Sequence, residues 1–233
     1  METVPGYVSI VFILTTFATV AFLIEAIKAV GVRSLPSQIL IFLLPLWILF
    51  HTALSIFGFY QNTNTVPPRV ALFAVLPALL TIIVFFIYFR GSFINKTPLG
   101  LLTLLHVIRI PVELVLFWLF LAGQVPRLMT FEGRNFDILS GLLAPIVYFI
   151  AFRGGNVKRW LLISYNILGL LLLANIVSIA ILSLPSPFQQ LALDQQNRAI
   201  LVFPYIWLPA IVVPIVLFSH LAVLWKLSRP QPA

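Results

Sequence analysis

The 233 residues are 61% hydrophobic and only 9% charged, with no cysteine and a formal net charge of +8. A soluble domain carries roughly 25% charged residues, so water is not the solvent for most of this surface. Absence of cysteine excludes disulfides, thiolate metal sites and cysteine nucleophiles. The basic residues are scattered and form no run, which argues against nucleic acid and for a role in membrane orientation.

The apolar residues fall in stretches of a length that matches the roughly 20 residues needed to cross a hydrocarbon core. In chain order they predict spans at 6–30, 37–60, 70–89, 98–121, 136–152, 160–184 and 200–227. Backbone groups in lipid must pair within their own segment, so the expected fold is all-α: a polytopic transmembrane helix bundle of about seven spans, forming one domain over 1–233. The first stretch lacks a positive leader and a small-residue cleavage site, and is read as retained. The fifth is short and carries Gly141 and Pro145, features compatible with a re-entrant or broken helix.

Lys28, Arg33, Arg90, Lys96, Arg153, Lys158, Arg159, Lys226 and Arg229 lie on one side of this arrangement, against Arg69, Arg127, Arg134 and Arg198 on the other. The excess places the N-terminus outside and the C-terminus in the cytoplasm of a plasma or inner membrane. Thr65 and Gln190 then fall outside and Gly154 inside. Tyr7, Tyr60, Trp160 and Trp225 sit near predicted span ends, as interfacial anchors do.

The fourth span carries the chemistry. His106, Arg109 and Glu113 share one helical stripe with Thr103 and Phe117, since 100° per residue places them within about 60° of each other. Each ionisable group costs about 2.5–3.5 kcal/mol at the bilayer centre, so the stripe should face the interior and be paired. The one-turn spacing of Arg109 and Glu113 suggests an ion pair with each other, and Pro111 predicts a kink that frees the carbonyl of Val107.

Depth along each span extends the site. Glu25, His106, Asn166 and His220 fall roughly 8–12 Å from the cytoplasmic end, and His51, Glu113 and Asn175 roughly 20–23 Å. Glu132, Arg134 and Asp137 follow in the outer connection. Convergence of these groups would give a polar column suited to proton relay or to a lipid-like head group; the alternative is that each finds a separate partner. Candidate catalytic residues are Glu113 and His106. Arg109, as an anion anchor, joins His51, Asn175, Glu132, Arg134 and Asp137 as candidate binding residues. Asn135 or Asp137 is also placed to cap the fifth helix, and Glu25 to pair with Lys28. No metal site is assigned and no cofactor is identified, although His106 and His220 share a depth at which two axial haem ligands could lie. The polar loop 183–197 is placed to cover a pocket.

The last span has no retinal-binding lysine within it, and the paired histidine of zinc-dependent receptor-like hydrolases is missing, since His220 is alone. The partners expected are the lipid bilayer and a lipidic or small amphipathic ligand. The leading reading is a membrane-embedded enzyme acting on a lipidic substrate. Its alternatives are a proton-coupled transporter and a non-catalytic assembly subunit.

Overall fold

A computed structural model describes residues 4–153 and 157–229, all helices and connections with no strand among the described residues. Gly154 lies outside them. Helix α1 is Gly6–Val30 and α2 is Leu35–Ile56. Ala71–Val75 forms a π turn that runs into α3, Leu76–Tyr88. The fourth span comprises α4 (Leu99–Leu105), a 3-10 turn (His106–Ile108) and α5 (Arg109–Leu121). Helices α6 (Ile138–Phe152) and α7 (Arg159–Leu182) follow, and a second π turn at Leu208–Val212 leads into α8, Val213–Leu227.

Six of these helical stretches are long and apolar enough to cross a membrane, which marks an integral membrane protein. The seventh, α6, is apolar but has 15 residues, about 22 Å at 1.5 Å per residue. It is one helix with Pro145 inside it, not a broken pair. The last span is shorter than hydropathy suggests. Residues 202–206 are turns, because Pro204 and Pro209 have no N–H to give a helical ladder, and the regular helix starts near Leu208.

Proline also shapes two places that position the interior. Pro111 cannot donate to the carbonyl of Val107, and the chain tightens there into the 3-10 turn that begins at His106. Pro214 likewise leaves the Ala210 carbonyl without its helical donor, and the Trp47 indole N–H of α2 donates to that oxygen at 2.9 Å. This is one of few attachments of α2, whose buried residues are Pro36, Ser37, His51 and Ser55. Buried side chains of the other helices form one continuous core, with Leu40, Trp47 and Ile48 of α2 packed on its edge.

Each end of the bundle is closed by polar contacts. At the more basic end, Lys226 Nζ donates to the carbonyl of Thr97, Arg159 donates to the carbonyls of Leu227 and Arg229, and the Arg229 guanidinium lies 4.3 Å from the Trp225 ring centre. At the other end α5 stops at Gly123, whose φ of +74° suits a residue without Cβ; Gly123 N–H reaches Phe120 and Gln124 N–H reaches Leu119. That stop turns the chain into the connection 122–137, which returns to the bundle interior. The loop after α7 folds over the same end, with Gln195 donating to the carbonyls of Phe120 and Val125.

Candidate functional site

The stripe on the fourth span faces inward. Thr103, His106, Arg109 and Glu113 are all buried, and Arg109 is the largest fully buried side chain of the protein's described residues. Its partner, however, is not Glu113. Arg109 Nε lies 2.8 Å from Oδ2 of Asp137, at the start of α6, and no ion pair joins Arg109 to Glu113 among the described residues. Helix α6 can come this close because Gly141 packs against the 3-10 turn: a Cβ there would lie 2.8 Å from Ile110 Cγ1 and 3.3 Å from the His106 carbonyl oxygen.

Asp137 is free for this pairing because Asn135 performs the local turn. The Asn135 side-chain oxygen accepts from the Asp137 N–H at 3.0 Å, while its amide donates to Glu113 Oε1 at 2.6 Å and to the Met129 carbonyl at 3.0 Å. Asp137 itself makes no side-chain capping bond. One asparagine therefore ties the outer connection to both carboxylates. Glu113 Oε2 and Asp137 Oδ1 have no hydrogen-bond partner among the described residues.

On its other side Arg109 meets α7 and α8. Its terminal nitrogens lie 3.4 Å from the Gly169 carbonyl, and one of them lies 3.3 Å from His220 Nε2. A guanidinium only donates, so His220 Nε2 must accept and Nδ1 must carry the proton, which fits its 2.8 Å contact with the Asn166 side-chain oxygen. The Asn166 amide donates in turn to Leu162. His106 stacks on His220 plane to plane, with ring centres 3.7 Å apart and an angle of 13°. Both of its ring nitrogens lack a partner among the described residues. Rings stacked this closely leave no space for a haem between them, so the axial-ligand arrangement is not available in this geometry. Gly169 makes the cluster possible, because a Cβ there would overlap the His220 ring.

Of the residues that depth put at one level, His106, Asn166 and His220 meet here, with Arg109 and Glu113 of the stripe and the candidate Asp137 of the outer connection, and the structure adds Asn135, Tyr165, Ser140 and Gly169. Tyr165 donates to the Ser140 carbonyl at 2.8 Å and packs edge-on to His106. The remaining candidates do not join. His51 bonds the Tyr60 hydroxyl at 2.6 Å on α2, which also removes Tyr60 from the set of interfacial anchors, since it is buried. Asn175 is exposed and donates to the Arg134 backbone carbonyl; Arg134 and Glu132 are exposed, and Glu132 lies 4.0 Å from Arg127. Glu25 pairs with Lys28 at 2.6 Å on the exposed surface. Among the described residues these groups do not form a continuous polar column.

Beside the cluster lies a chamber of about 740 Å³ between α3, α5, α7 and the last span. Its walls are apolar, including Val75, Leu116, Leu173, Ile176 and Leu217, and Glu113 and Asp137 are its charged lining residues. Loop residues Leu184, Ser186 and Phe188 line the end away from the basic face. The rim includes exposed Leu79 on α3 and Leu171 and Ile181 on α7, so the chamber meets the lipid-facing side of the bundle. Volume and lining match small-molecule sites, which run from about 300 to 1,000 Å³ with few polar groups on apolar walls. A second cavity, about 140 Å³ between α1, α2, α3 and the last span, has no charged lining residue among those described.

Fold and site together define an integral membrane helix bundle with a buried ion-pair cluster next to an apolar chamber. The chain belongs to the family described as a domain of unknown function (DUF8737), whose model matches residues 67–228 and so includes every residue of the cluster and chamber. No curated protein and no solved structure matches the chain.

Proposed function

We propose that the protein takes a lipidic, amphipathic molecule from the bilayer into the chamber between α3, α5, α7 and the last span, and acts on its head group as a membrane-embedded enzyme. The observation that supports this reading is the pairing of an apolar, laterally rimmed cavity of about 740 Å³ with two buried carboxylates that each retain a free oxygen. Within it, Glu113 is the proton acceptor. Asn135 fixes Oε1 and leaves Oε2 without a partner among the described residues, so one carboxylate oxygen keeps the lone pairs a general base uses. Arg109 is not an anion anchor in this scheme: it is engaged with Asp137 and orients that carboxylate.

The test is chemical analysis of what copurifies. Wild type extracted in a mild detergent should retain a discrete amphipathic species, enriched over the bulk membrane lipids. Ala174→Trp, which fills the chamber from α7 without touching a charged group, should lose it at an unchanged melting temperature. Identical lipid profiles for both, each matching the bulk membrane, would refute the reading.

A further inference from the structure

We infer that the molecule held in the chamber carries a cationic head group, an ammonium or similar donor on a long apolar tail. This rests on the chamber being a ligand site, as proposed above, and specifies what it selects. The argument is one of charge balance. The cluster contains one arginine and two carboxylates, all nine-tenths or more buried. Arg109 is matched by Asp137 at 2.8 Å, whereas among the described residues Glu113 is held by the neutral amide of Asn135 and by no cation. Both carboxylates line the chamber, but Arg109 does not, and no lysine, arginine or histidine is among its described lining residues.

A buried carboxylate without a counter-charge must take up a proton or find a cation. The neighbouring histidines do not supply one, since His220 uses Nε2 to accept from Arg109, and His106 is stacked on His220 with neither ring nitrogen bonded to a carboxylate among the described residues. An ammonium entering from the lipid would come beside Glu113 and Asp137, the charged lining residues, whose Oε2 and Oδ1 are buried without partners among the described residues, while its tail lay along Leu116, Leu173 and Leu217. A phosphate or carboxylate head would instead face the uncompensated carboxylate of Glu113 and no basic residue among the described lining, an arrangement that disfavours an anion. The lining therefore sorts by sign of charge, in the opposite sense to an arginine-based phosphate site.

The experiment compares three radiolabelled probes with one tail: tetradecylammonium, tetradecanol and tetradecanoate. Saturable binding is measured to the full chain in zwitterionic nanodiscs, with empty discs subtracted. The expected order is ammonium tightest, by about tenfold to hundredfold over the alcohol, the change that one charge-assisted contact brings. Glu113→Gln keeps an oxygen for the Asn135 amide and should fold, yet abolish the preference for ammonium. Equal or tighter binding of the alcohol or the carboxylate by wild type would overturn the charge assignment while leaving the chamber as a ligand site. Absence of saturable binding by all three would overturn the chamber reading itself. The ranking in wild type decides between these even if the variant does not fold.

Discussion

Asp137→Asn removes one charge of the buried pair and leaves Arg109 where it is. The guanidinium is 2% exposed, and its remaining contacts, two at 3.4 Å to the Gly169 carbonyl and one at 3.3 Å to His220, are long and carry no negative charge. Breaking a buried pair by removing one partner costs about 3–5 kcal/mol, because the survivor is left uncompensated. Chains of this size lose about 2–4 °C of melting temperature per kcal/mol, so the expected drop is about 6–20 °C. The double variant Arg109→Leu/Asp137→Leu removes both charges and should recover most of that loss. Thermal melts of wild type, the single and the double variant in one detergent provide the comparison. A single variant melting within about 2 °C of wild type, well under the shift that the pair energy implies, would refute the idea that this ion pair holds α5 to α6.

Gly169→Ala should destabilise by about 1–3 kcal/mol, the usual cost of overpacking, since the added methyl overlaps the His220 ring and lies 3.2 Å from Ser140 Oγ; an unchanged melting curve would show that the α7–α8 contact is looser than described. For orientation, single cysteines at Thr65 and Gln190 should react with a membrane-impermeant reagent applied to sealed cells, and one at Val157, on the Lys- and Arg-rich side, should not. Labelling at Val157 would reverse the assignment.

The inward stripe of Thr103, His106, Arg109 and Glu113 was legible because helical periodicity alone determines that these residues share a face. Its ion-pair partner was not. Glu113 at i+4 was the nearest candidate along the chain, but Arg109 turns to Asp137, 28 positions further on, and that choice depends on how closely α6 approaches at Gly141. Depth served for His106, Asn166 and His220 and failed for His51, because depth is one coordinate of a side chain on a helix and azimuth is the other. Helix α2 packs on the periphery, so His51 turns to Tyr60 at the right height on the wrong side. Hydropathy also ran the last span back to residue 200, since buried turns and helix are equally apolar in composition. The chamber had no sequence signature beyond the loop at 183–197, as its walls are ordinary span residues that happen not to meet.

Under the proposed function, a chamber rimmed by Leu79, Leu171 and Ile181 would be filled from the bilayer, and this changes what its walls could contribute to recognition. A tail moving from lipid to leucine exchanges one apolar medium for another, so it gains almost none of the roughly 0.8 kcal/mol per methylene that it gains on leaving water. Chain length would then govern how much ligand is dissolved in the membrane, while occupancy at a given membrane concentration would be decided by the few ångströms around Glu113, Asn135 and Asp137. Dissociation constants expressed per volume of water would rank homologous ligands by partitioning. Expressed as a mole fraction of lipid, the same data would collapse onto a single value for each head group.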